Sequence, residues 1–487
     1  MVDVFNELKS IDITDTLPNM INGELIKSND SIDKYNPLNG EVQYKVSNTS
    51  QEELDKAIET AIEAKDKWSS MNTIDRGKIL LKSAHLLEKY EKEISYLSTL
   101  DSGKSIEDSS GETNGAIQLA QYFGTEGMRN HGRTLESGMY GKKTIVTRMP
   151  LGVAGLITAF NSPLPNIAWK VYPALFCGNT VILKPSEHVP RVAIALSMIL
   201  EEAGLPKGVL NVVNGGGSKQ VGEWIVKDEK IDIVSFTGSY EVGKSVALKC
   251  AESFKRYSLE LGGKNALVVH EDANLKNAVD WTIKSCFSLA GQRCSSASRL
   301  FVHKNIRKDF VNELEKEMNL LIKDSNPLIT CPIISKESME RIESSVKEAV
   351  DRGANLTKFE IKKSDGFFVQ PTLLDGLSND DQINDKELFG PVATLSTYEN
   401  IDEVINFVNS SKFGLTASIH TINLNVANKF TEKIRTGTVN VNLGTFGSEP
   451  HYPFGGFGYS GNGTREPGLE ALDVYSETKT ISTYSDL

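Results

Sequence analysis

Basic charge is in short supply in this chain of 487 residues: 53 Lys and Arg stand against 64 Asp and Glu, for a net charge of -11. A surface that neutralises phosphates needs the opposite sign, which argues against nucleic acid or a membrane as a partner. Cysteine is sparse too. The five residues Cys177, Cys250, Cys286, Cys294 and Cys331 show no CxxC spacing, so neither a metal site nor a disulfide framework is expected, and a reducing, cytoplasmic compartment fits. Long apolar runs are missing as well. The best candidate, residues 151–160, is interrupted by Gly152 and Gly155 and is too short to span a bilayer. Residues 1–12 carry acids where a signal peptide is basic and then apolar. What remains is ordinary for a globular protein, 39% hydrophobic and 24% charged, in a chain too long for one core, so two or three domains are expected.

Along the chain, Pro18, Asn22-Gly23, Pro37 and Asn39-Gly40 punctuate residues 1–50 as a polar lead-in with short strands. Residues 51–135 read as helical, with Leu54, Ala57, Ile58, Ala61 and Ala64 at helical spacing and the same pattern over 79–97. Residues 142–149 alternate as a short strand. The texture then changes. Apolar strands at 153–159, 180–183, 210–213 and 231–236 alternate with helix-like segments at 166–174, 192–203 and 218–226, the pattern of a parallel sheet that binds nucleotides at its strand ends. After Gly262-Gly263 the pattern restarts at 266–270 and 300–303 and runs to about residue 470 as a second α/β domain. The tail, 474–487, alternates in polarity as an exposed strand in need of a partner, for which another subunit is a candidate.

Cys294 lies between small, flexible residues: Ser288, Ala290 and Gly291 before it, Ser295, Ser296, Ala297 and Ser298 after it. A thiol acts as a nucleophile when it is accessible and its setting favours the thiolate. Arg293 is a neighbouring cation, although a small buried hydrophobe is the plainer reading of a free cysteine. Residues 238–245 satisfy GxxxxGK(S/T), yet Glu241 would put a carboxylate where a P-loop holds polyphosphate. The same residues read better as a helix capped by Ser239, whose N-terminus still attracts a phosphate. Lys184 and Glu187 suit the two hydroxyls of a ribose, or form a surface ion pair. Asn161 offers an amide donor at a strand end, or makes a turn. Glu260, between Leu259 and Leu261, is a candidate base with a raised pKa, or an edge residue facing water. The aromatic and glycine clusters at 387–391 and 453–458 suit backbone packed against a flat ligand, or tight turns.

Taken in order, Asn161, Lys184-Pro185-Ser186-Glu187, Phe236-Thr237-Gly238-Ser239, Glu260-Leu261-Gly262-Gly263, Gly291-Gln292-Arg293-Cys294, Glu387-Leu388-Phe389-Gly390-Pro391 and Pro453-Phe454-Gly455-Gly456 resemble the motifs of the aldehyde dehydrogenase superfamily. The resemblance runs from near residue 20 to the C-terminus. It implies an α/β fold with a Rossmann-like coenzyme domain (1–127 and 149–262), a second α/β catalytic domain (263–472) and a β-arm for oligomerisation (128–148 and 473–487), in a homodimer or homotetramer. It implies that Cys294 attacks the aldehyde, with the oxyanion held by the Asn161 amide and the backbone N–H of Cys294. Hydride would pass to NAD or NADP, and Glu260 would deprotonate the water that hydrolyses the thioester, with Lys170 assisting proton transfer.

Thr158, Phe160, Lys184, Ser186, Glu187, Phe236, Gly238, Ser239, Leu261, Glu387 and Phe389 would hold the coenzyme by that resemblance. The charge of Glu187 favours NAD over NADP. Ser162, Asn166, Trp169, Phe287, Arg293, Phe454 and the loop 443–452 would line the aldehyde channel. Arg293 either clamps a substrate carboxylate or is a structural residue turned away, and Glu449 and His451 would not welcome a second anion. A small polar aldehyde or semialdehyde is implied first, an aromatic aldehyde second. Ser162 and Gly458 depart from the family, where an aromatic residue and a lysine are usual. Glu260 argues against a CoA-acylating relative, and Cys294, Glu260 and Asn161 together argue against a non-catalytic protein on the same fold.

Overall fold

A capping box of Ser50 and Glu53 starts the helix Gln51–Ser70, and the spaced residues Leu54, Ala57, Ile58 and Ala61 are fully buried along one face. The computed structural model describes residues 2–130, 132–216, 220–362 and 365–486. Three more helices follow the first, Thr73–Lys89, Glu91–Ser102 and Ile106–Thr125. This helical layer stops short of residue 135, because Arg133–Leu135 is a strand. The lead-in also differs from expectation, since a helix, Val2–Ser10, precedes its short strands. Phe5 and Leu8 are buried, and the Phe5 ring meets Tyr90 at 5.1 Å. A helix this short is marginal alone and takes its stability from such packing.

The first sheet has seven strands in the order Arg256–Glu260, Ile233–Thr237, Val153–Ile157, Thr180–Lys184, Leu210–Val212, Asn19–Ile21 and Glu24–Ile26. The first five are parallel and the last two form an antiparallel hairpin at the edge. From Val153–Ile157 the chain winds to one side, then returns to the other side at Ile233–Thr237. The connections therefore diverge between those two strands, and a crevice opens at their carboxyl ends. The crossing helices are Pro163–Cys177, Arg191–Ala203, Val221–Lys227 and Tyr240–Glu252; Ser218 and Lys219 of the expected segment 218–226 lie outside the described residues. No apolar run marks Arg256–Glu260, because it is buried only from Ser258 onward.

The second sheet runs Asn355–Lys358, Thr372–Asp375, Val392–Tyr398, Ala297–His303, Asn265–Val269, Thr416–His420 and Thr438–Val441, parallel throughout except for the first strand. A separate ribbon pairs Lys142–Pro150 with Ser476–Tyr484 and with Arg133–Leu135, all antiparallel. The tail thus finds a partner within its own chain, in the arm that the resemblance implies. Ile145 and Ile481 face each other across this ribbon and remain 47% and 39% exposed.

Candidate active site

Helix Leu275–Phe287 passes into strand Ala297–His303 through a loop that turns left-handed three times running: Leu289 at φ 51°, Ala290 at 52° and Gly291 at 67°. A Cβ on Gly291 would strike the Gly390 carbonyl, so the close approach requires glycine. The two non-glycine residues each cost about 1–2 kcal/mol in that region. Hydrogen bonds hold the loop against this strain. Asn265 Nδ2 donates to the carbonyls of Cys294 (2.6 Å) and Ser296 (2.9 Å), and Thr445 Oγ1 donates to that of Ser295 (2.6 Å). Gln292 bonds the Pro332 carbonyl and the Ile334 amide. The loop thereby fixes Cys294 partly exposed, as Cys177 is, while Cys250, Cys286 and Cys331 are buried.

Burial pushes the Cys294 thiol up to about 12; the carboxylates of Glu387 and Glu260 add to the rise, and the amides of Ser295 and Cys294 oppose it. The thiol is therefore protonated at neutral pH, and its proton needs an acceptor. Glu260 ends the edge strand of the first sheet but is buried rather than facing water, and neither carboxylate oxygen has a hydrogen-bond partner among the described residues. Burial, then repulsion from Glu466, holds its pKa well above the usual carboxylate range, against the pull of Lys170 and Arg465. Lys170 Nζ is buried and donates to Ser235 Oγ (2.7 Å) and Glu466 Oε2 (2.8 Å). Glu466 Oε1 accepts from Ser235 Oγ (3.1 Å) and Tyr475 Oη (2.7 Å). Ser235, Glu466 and Tyr475 carry no sequence signal, since each is a lone polar residue that only the fold brings to Lys170. Glu387 Oε1 accepts from the Gly263 amide (2.9 Å), and burial raises its pKa to about 7.

Asn161 lies between strand Val153–Ile157 and helix Pro163–Cys177. Its Oδ1 accepts from Asn166 Nδ2 (3.0 Å) and its carbonyl accepts from Lys104 Nζ (2.8 Å). Its own Nδ2 makes no hydrogen bond among the described residues. Ser162 occupies the cap position of the helix without making a side-chain cap bond.

The crevice of the first sheet opens into a cavity of about 340 Å³ lined by Thr158, Phe160, Lys184, Ser186, Glu187, Phe236, Gly238 and Ser239. These residues fit a dinucleotide. Thr158 Oγ1 is buried without a partner among the described residues, and backbone at Gly238 passes so close to the Phe236 ring that any Cβ would strike it. Ser239 caps helix Tyr240–Glu252, as its sequence indicates, which sets a helix N-terminus in the cavity wall. Lys184 Nζ lies 3.7 Å from the Glu187 carboxylate. Leu261, Glu387 and Phe389 lie outside this cavity. The Phe389 ring, on a residue at φ 54°, meets that of Phe160 at 5.7 Å.

Trp169 and Phe454 pack edge to face at 5.3 Å. The Arg293 guanidinium lies 4.7 Å over the Phe446 ring and donates to the Ser288 hydroxyl. Glu449 and His451 are exposed and 4.0 Å apart. Phe287, expected in the channel, is instead a core residue. It is fully buried and packs on Phe359 at 6.0 Å, because the inner face of its helix presents it to the second sheet's core with Ile283. Gly458 stands at φ 60°, and a Cβ there would strike the Lys412 carbonyl, which explains why a lysine is not accommodated.

Residues 25–481 match the model of the aldehyde dehydrogenase family. The chain belongs to that family. Among its relatives, α-ketoglutaric semialdehyde dehydrogenase of Bacillus subtilis is 36% identical over 96% of this chain and 98% of that protein. A 3-sulfolactaldehyde dehydrogenase of Priestia aryabhattai is 35% identical over 95% and 96%. The crystal structure of betaine aldehyde dehydrogenase from Staphylococcus aureus in complex with NAD+ superposes with a TM-score of 0.94 at 30% identity, covering 100% of this chain and 98% of that one. This aldehyde dehydrogenase thus oxidises an aldehyde to a carboxylic acid. Lys244, the lysine of the P-loop-like run, is exposed on its helix and does not line the cavity. Lys244→Ala is expected to leave coenzyme affinity and turnover within about twofold, measured by fluorescence titration and steady-state kinetics. Abolished nucleotide binding would instead revive the P-loop reading.

Proposed function

We propose that this aldehyde dehydrogenase oxidises a small aldehyde bearing an anionic group, with NAD as the hydride acceptor. The observation that carries the proposal is the setting of Arg293. Its guanidinium is half-buried beside the nucleophile, packs on Phe446, donates only to Ser288 among the described residues, and retains N–H groups for a substrate carboxylate or sulfonate. Asp108 and Glu112 are near enough to offset part of the burial that lowers its pKa. Relatives named for α-ketoglutaric semialdehyde and 3-sulfolactaldehyde, both anionic aldehydes, support this reading. The NAD+ in the Staphylococcus aureus structure supports the coenzyme, and the Glu187 carboxylate would repel the extra phosphate of NADP.

In this reading the Cys294 thiol gives its proton to solvent, and the thiolate adds to the aldehyde carbon. Asn161 Nδ2 and the Cys294 amide then hold the oxyanion. NAD, when bound, supplies a ring that accepts the substrate's hydride. Glu260 then deprotonates the water that releases the acid, and its raised pKa equips it to hold that proton near neutral pH. Lys170, hydrogen-bonded to Ser235 and Glu466, favours the Glu260 carboxylate through its charge and so assists release of the proton. Thr158, Phe160, Lys184, Ser186, Glu187, Phe236, Gly238, Ser239 and Leu261 bind the coenzyme, with Glu387 and Phe389 at its nicotinamide end. Residues 1–127 and 149–262 form the coenzyme domain and 263–472 the catalytic domain. The ribbon of 128–148 and 473–487, with Ile145 and Ile481 exposed, joins copies into a homodimer or homotetramer in the cytoplasm.

Absorbance of reduced nicotinamide tests this, with NAD and NADP in parallel over neutral, aromatic, carboxylated and sulfonated aldehydes. NAD with a small anionic aldehyde is expected to be fastest. Arg293→Leu is expected to raise KM for that aldehyde about 10–100-fold, the worth of a charge-assisted hydrogen bond, and to leave its neutral analogue within about threefold. Equal losses on both would sink the anion reading.

A further inference from the structure

We propose that Asn166 and Lys104 form a two-point clamp that sets the direction of the Asn161 amide, making both of them positioning residues for aldehyde oxidation. The inference rests on the reading of Asn161 as the oxyanion donor. An asparagine amide has two ends of similar shape and opposite polarity, and only the NH2 end stabilises an oxyanion. Asn166 Nδ2 lies 3.3 Å from the Ala159 carbonyl, which can only accept, so Asn166 must present its nitrogen there. The same nitrogen is 3.0 Å from Asn161 Oδ1. A reversed Asn161 would set two NH2 groups against each other. Asn161 therefore gives its oxygen to Asn166 and keeps its NH2 for the cleft.

The backbone end is held independently. Lys104 has a side chain 4% exposed, and its Nζ donates to the Asn161 carbonyl at 2.8 Å and to Glu112 Oε1 at 2.6 Å. Glu112 belongs to helix Ile106–Thr125, so this bond ties the Asn161 loop to the helical layer. Asn166 is itself rigid, because its amide bonds the Ser162 carbonyl at 2.9 Å in the first turn of helix Pro163–Cys177. A donor fixed at both its backbone and its side chain needs no reorganisation as the oxyanion forms.

The test is a double-mutant cycle in the full-length enzyme. Asn166→Leu and Lys104→Met are each measured alone and combined with Asn161→Ala, for kcat, KM, coenzyme Kd and the rate of Cys294 alkylation by iodoacetamide. Each single variant is expected to lower kcat about tenfold, a misaimed donor being less damaging than a missing one. KM in Lys104→Met, and coenzyme Kd and the alkylation rate in both variants, should stay within about twofold, and in the Asn161→Ala background the further loss in kcat should shrink to about twofold or less. Asn166→Asp should cost more than Asn166→Leu, because a carboxylate only accepts and would draw the Asn161 NH2 toward itself. Lys104→Arg should restore most of the loss. If Lys104→Met fails to fold with Glu112 left unpaired, the paired change Lys104→Met with Glu112→Gln takes its place. Losses that persist undiminished on Asn161→Ala, or that appear in Kd or alkylation, overturn the clamp. Wild-type activity in Asn161→Ala alone overturns the oxyanion reading instead.

Discussion

Cys294→Ala is expected to lower the turnover of aldehyde by about 10⁴-fold or more, because a covalent nucleophile has no substitute in its site. Coenzyme affinity should stay within about twofold, since Cys294 is not among the residues lining the coenzyme cavity. Acidity does not mark this cysteine out. Burial pushes Cys177 and Cys331 up to about 12 and Cys250 to about 11, so Cys294 at about 12 is no more acidic than they are. Position marks it out, because it is held on a strained loop with amide donors at its sulfur and the carboxylates of Glu260 and Glu387 beside it. Steady-state absorbance gives the loss, and calorimetric titration with NAD gives the affinity. Alkylation of the coenzyme-free enzyme adds a sign. With its thiol held up near 12, Cys294 should react slowly at pH 7 and about tenfold faster for each unit of pH gained. Fast labelling at pH 7, or turnover in the alanine variant above about one per cent of wild type, would move the nucleophile elsewhere.

How far the site is legible in the sequence depends on how local each cause is. The small residues around Cys294, the apolar flank of Glu260 and the Ser239 cap are local features, and the structure leaves that thiol partly exposed, buries that carboxylate and caps the helix with Ser239. Pairings across the chain are different. Lys170 and Glu466 are 296 residues apart, and Asn265 reaches Cys294 across 29, with no periodicity to announce either. Strand order is equally hidden, since nothing in Ile233–Thr237 states that it pairs beside Val153–Ile157 and thereby places the crevice. Phe287 shows the opposite error. Closeness in sequence to Cys294 suggests the channel, yet a position on the inner face of a helix decides for the core. The helix Val2–Ser10 is missed for a related reason, since its stability comes from Tyr90 and its neighbours rather than from its own residues.

Glu260→Gln is expected to separate activity from stability. Without a base for hydrolysis, steady-state turnover should fall about 10²–10³-fold, while the first turnover still yields reduced coenzyme, so a rapid-mixing trace should show a burst followed by a slow phase. In the wild type, activity should fall on acidification at a higher pH than for an ordinary carboxylate, because burial and Glu466 raise the Glu260 pKa, and the Gln variant should lose that acid limb. Stability should move the other way. Neither oxygen of Glu260 has a partner among the described residues, so the charge is carried at a loss in the folded state. Below the unfolded-state pKa of about 4.3 both states hold the proton, and the variant has no advantage on this account. As pH rises, the unfolded chain ionises first while the folded protein keeps its proton, and wild-type stability declines until the folded pKa is passed. The midpoint of thermal unfolding of Glu260→Gln should therefore exceed that of the wild type at pH 8 and approach it near pH 4. A trace with no burst and an unchanged acid limb would place the hydrolytic base elsewhere. A lower midpoint at pH 8 would mean that Glu260 has a stabilising partner in the folded enzyme, and that its activity does not come at the expense of stability.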